Sequence, residues 1–355
     1  MEKITPLYHW HKNHQGNIVE FGGYLMPLHY SNGILHEHHT VRTKVGLFDV
    51  SHMGEFSFSG KDALANLNYV ISNDFSDLEI NKTRYGILVR KDGTAVDDLL
   101  VYRMAEEEYF VVVNAANIDK DEAYFKEHLF GEVTFKNLSD YYGQIAIQGP
   151  LSQELLKRLT PHNDMAYYSF TQNVDIAGKN VIVSRTGYTG EDGYEIYTKA
   201  EDTEFLWDLF LKTGEDLGVE PCGLGCRDTL RLEAAMPLFG HELNDETTPL
   251  EAGLSMFVKL DKEKFIAKEA LSEKPLKRKI GLQLIDRGIA REHCDVYFNG
   301  EKVGTVTSGT KSPTLNQSIA MAFIPAELFK ETQFEIDVRG KLLKAEKVKL
   351  PFYKR

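Results

Sequence analysis

The stretch NVIVSRTGYTGEDGYEIYT, residues 180–198, decides the fold class. Its ends, Asn180–Arg185 and Tyr194–Thr198, are rich in β-branched and aromatic residues and read as strands, joined by the glycine-rich loop TGYTGEDG. On either side, Pro150–Leu159 (PLSQELLKRL) and Asp202–Leu217 (DTEFLWDLFLKTGEDL) carry apolar residues at helical spacing. Helices and strands intermixed in this way predict an α+β protein and argue against a bundle or a sandwich.

The loop invites comparison with a phosphate cradle through Gly187, Gly190 and Gly193. No Lys-Ser/Thr pair follows, however, and Glu191 and Asp192 would repel phosphate. A carboxylate such as Glu195, in the strand after the loop, suits a neutral heterocycle with adjacent N–H donors, because two acceptors can meet two donors as a fork. A tight hairpin with solvent-exposed acids is the simpler alternative.

Upstream, Gly60–Ile71 (GKDALANLNYVI) has helical spacing after a polar start, and Tyr109–Asn114 (YFVVVN) reads as a buried strand. Between them lies AVDDLLVYR, residues 95–103, in which two acids open an apolar run. Neighbours in a strand point to opposite faces, so Asp97 and Asp98 cannot both face inward. An inward acid needs backbone donors, a cation or a polar ligand; a capped turn after the KDG hairpin signal is the alternative. Downstream of Lys277 the texture changes. KRKIGLQLIDRG, VYFNGEKVGTVTSG and TQFEIDVRGKLLKAEKVKL read as short strands with turn signals, Asn299–Gly300 being a hairpin pair. A small separate β domain is expected there.

In GLGCRDTLRLEAAMPLFGHEL, residues 223–243, Arg227, Asp228, Arg231 and Glu233 allow ion pairing along a helix, or an arginine could hold an anionic group. The histidines gather as HWHKNH (His9, His11, His14) and HEHH (His36, His38, His39); neither run has HExxH spacing, and both are expected on solvated faces, with no metal site. Cys222 and Cys226 in PCGLGC lack a second thiol or histidine pair nearby, which disfavours zinc. Together with Cys294 they make a sparse, odd set that suits a reducing compartment.

The chain has 355 residues, 42% hydrophobic and 26% charged, enough for two or three cores. Its net charge of -12 argues against nucleic acid as a partner, since binding phosphates needs a basic face. The start lacks the basic-then-apolar layout of a signal peptide, and no apolar run approaches the roughly 20 residues that span a bilayer. A soluble, cytoplasmic protein is expected. No GxSxG elbow, Walker loop or strand–GxGxxG–helix unit is present.

Nine stretches, in order, resemble the glycine cleavage T-protein family of aminomethyltransferases: FGGYLMPLHY (21–30), VGLFDVSHMGEF (45–56), VDDLLVYR (96–103), VVNAANIDKD (112–121), QGP (148–150), VSRTGYTGEDGYE (183–195), GLGCRDTLRLEAAMPLFGHEL (223–243), TSGTKSPTLNQSIAMAF (307–323) and PFYKR (351–355). The resemblance implies transfer of the methylene carbon of an aminomethyl group, carried on the lipoyl arm of an H protein, to tetrahydrofolate, with release of ammonia. It also implies three domains around a folate channel: a discontinuous, folate-binding domain of residues 1–50 plus 140–255, a second of residues 51–139 carrying Asp98, and a C-terminal β-barrel-like domain of residues 277–355.

In that family's pattern Asp98 matches the essential aspartate, which would orient the pterin, accept a proton from the attacking amine, or stabilise an iminium-like cation. Asp97 would then be its outward neighbour. Glu195 matches the acid that pairs with the pterin N–H groups, Arg227 a folate-contact arginine, and Tyr353 a C-terminal folate contact. Met53, Tyr85, Asn114 and Tyr168 fall at positions lining the channel. The H protein is acidic in this family, so docking on this acidic chain is expected through a local basic patch. Two alternatives remain open: a carrier-independent folate-dependent demethylase of the same fold, and a non-catalytic folate-binding protein, whose KGCYxGQE-type motif is absent here.

Overall fold

A computed structural model describes residues 2–355. The chain divides into two compact units: the first takes in the described residues up to 67, 75–85 and 99–228, the second residues 68–74, 86–98 and 229–355.

The first unit is organised by a six-stranded sheet in the order Phe170–Ile176, Lys179–Ser184, Gly193–Lys199, Tyr142–Gln148, Val45–Asp49, Val219–Pro221. All neighbours are antiparallel except the last pair, where Val219–Pro221 runs parallel to Val45–Asp49. Alternating inward residues of these strands, Val45, Leu47, Ile145, Ile147, Val181, Val183 and Ile196, join one apolar core. The helix Thr203–Thr213 covers it with Leu206, Trp207 and Phe210, all fully buried. That is one face of a 3.6-residue repeat, and each such side chain contributes roughly 1.5–3 kcal/mol by leaving water. The helix stops at Gly214, where a Cβ would lie 2.0 Å from Val219.

A five-stranded sheet follows the order Thr83–Val89, Ala95–Ala105, Glu108–Val113, Gly54–Ser59, Thr134–Asn137. Its first two strands each continue from one unit into the other. The connection between them turns at Gly93, φ +86°, with the Asp92 carboxylate accepting from the backbone N–H of Thr94. The KDG turn therefore ends before the acid pair, and both Asp97 and Asp98 lie within the strand Ala95–Ala105.

In the second unit six strands close a barrel in the order Lys277–Leu284, Ser318–Pro325, Glu301–Lys311, Asp295–Phe298, Gln333–Val338, Lys341–Val348. Closure leaves no edge strand open to pairing. Asn299 and Gly300, φ +52° and +83°, form the tight hairpin the dipeptide predicts, and Arg339–Gly340 repeats it at φ +56° and +81°. Elsewhere in this unit, Arg231 donates to Glu242 at 2.9 Å and to Ser308 at 2.8 Å, all three buried. The buried Lys262 ammonium donates to the carbonyls of Asn68, Ile71 and Asn73 and lies 4.0 Å from the Phe265 ring centroid.

The histidine runs are not simply solvated. His38 is buried within the helix Gly33–Thr43. His11 is fully buried in the short helix Tyr8–Asn13 and bonds Asp49 Oδ2 through Nε2 at 2.9 Å. Asp49 also accepts from Thr5 Oγ1 at 2.6 Å and from the Ser51 N–H at 2.9 Å, while the Tyr30 hydroxyl lies 2.8 Å from His11 Nδ1. Burial alone would raise the Asp49 pKa, but the His11, Thr5 and Ser51 bonds outweigh it and hold the carboxyl below its usual range. An ionised Asp49 requires a donor, so Nε2 of His11 carries a proton toward Oδ2.

Replacing His11 with alanine leaves a buried carboxylate short of a donor, and a loss of about 3–5 kcal/mol is expected from urea unfolding at neutral pH. The folded pKa of Asp49 is depressed, so its stabilisation is present above the unfolded value and fades as pH falls through the folded one; the gap between parent and His11→Ala should narrow in acid. A loss no larger than the roughly 1 kcal/mol of an exposed pair would reduce this contact to a minor one.

Candidate functional site

Glu195 sits in the strand Gly193–Lys199, paired across from Ala146 on one side and Ser184 on the other. It is only 7% exposed. Gln144 Nε2 donates to its Oε1 at 3.1 Å and Thr186 Oγ1 to its Oε2 at 2.5 Å. Each oxygen therefore holds one donor and keeps a lone pair for another. Burial raises the Glu195 pKa, opposed by Thr186, the positive charge of Arg227 and Gln144. Arg227, in the helix Leu224–Glu233, has its guanidinium 4.6 Å from the Tyr188 ring centroid. Burial lowers its pKa, partly offset by Tyr188 and Glu195.

Among the described residues, three buried polar atoms by this pair have no hydrogen-bond partner, Arg227 Nη1, His52 Nδ1 and Gln144 Oε1, and both oxygens of the Glu55 carboxyl are likewise unpartnered. Groups so buried are ordinarily satisfied, and each one left open costs about 1–3 kcal/mol. A donor and an acceptor left open beside a carboxylate fork fit a polar heterocycle that carries both kinds of edge.

The glycine-rich loop closes over Gln148. A Cβ at Gly187 would lie 2.1 Å from the Gln148 amide, and one at Gly193 would lie 2.3 Å from it, so these glycines serve close packing. The loop acids are not left in solvent: Glu191 pairs with Arg42 at 3.0 Å, and Asp192 takes Arg185 at 3.1 and 2.7 Å in a bidentate fork. The hairpin with exposed acids is thus replaced by one pinned to two arginines.

Of the other expected residues in the first unit, Met53 packs against the aromatic cluster that includes Tyr102, Phe110 and Tyr197. Tyr168 adopts a left-handed φ of +60°, an uncommon backbone state for a bulky residue, and burial raises its pKa, with Tyr167, Tyr102 and Glu195 contributing. Tyr85 is half-buried in the strand Thr83–Val89. Asn114 is half-buried and accepts, at its carbonyl, from the Asn117 N–H at 3.0 Å. Glu195, Arg227 and Tyr168 thus share one electrostatic neighbourhood, whereas Tyr85 lies in a strand of the other sheet and Asn114 just past the end of another.

Asp98 and Tyr353 belong to the second unit. The outward placing expected for Asp97 is reversed: Asp97 is fully buried and Asp98 half-buried. Asp97 alternates with Ala95, Leu99 and Val101, all buried, and Asp98 with the buried Val96 and Tyr102 and the half-buried Leu100. An acid that meets a ligand from solution must keep some access to it, and Asp98 does. Tyr353 is half-buried, its N–H donating to the Glu233 carbonyl at 2.8 Å, and the Glu233 side chain accepts from Ser312 and Thr314. Glu233 and Arg231 are therefore engaged across loops and strands.

Comparison with known proteins supplies the family. The profile described as the GCVT N-terminal domain matches residues 7–262, and that of the glycine cleavage T-protein C-terminal barrel domain matches residues 277–354. The chain belongs to the glycine cleavage T-protein family. It is 47% identical over 363 residues to the aminomethyltransferase of Anoxybacillus flavithermus and 46% identical over 363 residues to that of Bacillus subtilis, each alignment covering 100% of both chains. The crystal structure of glycine cleavage system aminomethyltransferase T from Bartonella henselae matches with a TM-score of 0.93 at 32% identity, over 100% of this chain and 99% of that one. This T-protein chain is accordingly an aminomethyltransferase of glycine cleavage. Among its described residues no helix is long and apolar enough to cross a membrane.

Sequence reasoning missed His52, Gln144, Thr186 and Tyr188. His52, Thr186 and Tyr188 stand inside quoted motifs; Gln144 lies outside them.

Glu55 is 1% exposed and burial raises its pKa well above the usual carboxyl range. The unfolded chain releases that proton near pH 4.3, so folding stability falls as pH rises from there toward the folded pKa. Glu55→Met removes this cost with little change of volume. The variant should gain on the parent by up to about 1.4 kcal/mol per pH unit across that window, measured by urea unfolding at a series of pH values. A gap independent of pH would mean that Glu55 is ionised in the folded chain.

Proposed function

We propose that this T-protein takes tetrahydrofolate as its one-carbon acceptor and a lipoylated H protein as the carrier that brings the aminomethyl group, ammonia being the second product. The observation that carries the reading is the Glu195–Arg227 wall with its unpartnered donor and acceptor atoms, in a chain of this family. Tetrahydrofolate supplies the nitrogens that take up the one-carbon unit. Glu195, with one acceptor position free on each oxygen, would hold the donor edge of the heterocycle as a two-point fork. Arg227, stacked on Tyr188 and with Nη1 open, would donate to its acceptor edge. Met53, Tyr85, Asn114, Tyr168 and Tyr353 are assigned to the remainder of the folate by their places in the family's motifs.

Asp98 is assigned the reactive role on the match of VDDLLVYR to the family pattern and on its partial access. Its carboxylate accepts the proton lost by the attacking nitrogen and opposes positive charge developing on the carbon as ammonia leaves. Asp98→Asn should keep tetrahydrofolate affinity within about threefold while turnover falls by a factor on the order of 100 or more. Turnover equal to the parent would remove Asp98 from the chemistry. Glu195→Gln should mainly weaken tetrahydrofolate binding, by about tenfold, because one acceptor of the fork becomes a donor.

The direct test mixes the protein with H protein carrying aminomethyl-lipoate and follows ammonia with and without tetrahydrofolate. Fast release only when folate is present supports the assignment; release no faster than decay of the carrier alone overturns it. Both partners being acidic, docking through a local basic patch should weaken as salt rises, and salt-insensitive docking would refute that mode.

A further inference from the structure

His52 is a buried histidine that feels the charge of Arg227, and the roles set out above do not use it. It follows the Asp49–Ser51 turn, is 2% exposed, and its Nδ1 is buried without a hydrogen-bond partner. The ring sits edge-on to Phe21 at 5.7 Å between centroids and lies 6.3 Å from the Tyr24 ring. These contacts fix the imidazole ring between aromatic neighbours, and its Nδ1 takes no hydrogen bond from any described residue.

We propose that His52 is a second N–H donor of the heterocycle pocket, presenting Nδ1–H beside Arg227 Nη1 to the carbonyl edge of the pterin while Glu195 takes the donor edge. This rests on tetrahydrofolate being the ligand. Two cations side by side in a buried site would repel each other, and His52 avoids this by staying neutral: burial first, and the Arg227 charge second, push its pKa down to about 4, with Asp49 acting in the opposite sense. A neutral imidazole still carries one N–H, so the pair delivers two donors for one positive charge. A carbonyl oxygen with two lone pairs accepts both. An amino group in its place would confront two donors with a third, so the pair reads a carbonyl against an amino group.

The test compares the full-length protein with its His52→Phe and His52→Asn variants, each titrated anaerobically with tetrahydrofolate and with its 2,4-diamino counterpart, in which an amino group replaces the carbonyl. Phe keeps the ring contacts to Phe21 and Tyr24 but has no donor; Asn places an amide N–H near the position of Nδ1. His52→Phe should bind tetrahydrofolate about tenfold more weakly and the diamino compound within about twofold of the parent, and His52→Asn should recover most of the difference. In protein labelled with 15N-histidine, the His52 Nδ1 signal should shift when tetrahydrofolate is added. Equal weakening toward both compounds, or none toward either, with an unmoved Nδ1 signal, overturns the inference. Failure of the parent itself to bind tetrahydrofolate overturns this inference and the folate reading together, so the two failures are told apart by the parent's own titration.

Discussion

The buried carboxylate of Asp49 sets where the first unit's site can lie. It ends a central strand of the six-stranded sheet and draws in Thr5, His11 and the Ser51 N–H, with Tyr30 behind His11. The turn that follows is held again on Gln144, whose backbone accepts from the Val50 N–H and from Ser51 Oγ, while its own N–H donates to that hydroxyl. One side of this knot fixes the departure of His52 and Met53. The other fixes Gln144, whose side chain then reaches Glu195. A charge that cannot be stranded thus aligns residues far apart in the chain, because the cost of an unpaired buried carboxylate exceeds that of ordering the groups around it.

Glu195 and Arg227 gain less from each other than a direct ion pair would. Burial works against the charged form of both, and the electrostatic help each receives from the other only partly offsets it. Glu195 is instead held from behind by Gln144 and Thr186, and Arg227 from one face by Tyr188. Such an arrangement orients both side chains while leaving bonding capacity open, which is the form preorganisation takes in a site for a polar ligand. The loop over it contributes stiffness: Gly187 and Gly193 pack on Gln148, Glu191 pairs with Arg42, and Arg185 forks Asp192.

Most elements were legible because each rests on local chemistry. The helix over Thr203–Thr213 follows from its apolar spacing, and the barrel's hairpins from Asn299–Gly300, whose left-handed backbone few other residues tolerate. Closure of those strands into a barrel does not follow from spacing, since it depends on which strands pair. The same limit explains Asp97 and Asp98: alternation says that they face opposite ways, but how deeply each is buried is decided by chain distant in sequence. It explains His11 too, whose partner Asp49 lies 38 residues away. Glu195 was legible as an acceptor fork, whereas the supporting Gln144 and Thr186 were not, because a supporting residue is defined by what it touches.

Open hydrogen-bonding atoms in a folded chain are a cost carried by the ligand-free state. Arg227 Nη1, His52 Nδ1 and Gln144 Oε1, at about 1–3 kcal/mol each, together approach the marginal stability of an ordinary domain. Water reaching the pocket lowers that cost, and a ligand that matches the atoms removes it. Folding stability and ligand affinity are therefore linked here through the same few atoms. Glu55 stands apart from this logic: its unpaired carboxyl lies near Tyr142 and Tyr197, burial holds it neutral, and a neutral acid escapes most of the penalty that would fall on a charge. The chain thus handles buried acids in three ways, by ionising Asp49 against donors, by half-satisfying Glu195, and by protonating Glu55, and only the second leaves bonding capacity suited to recognition.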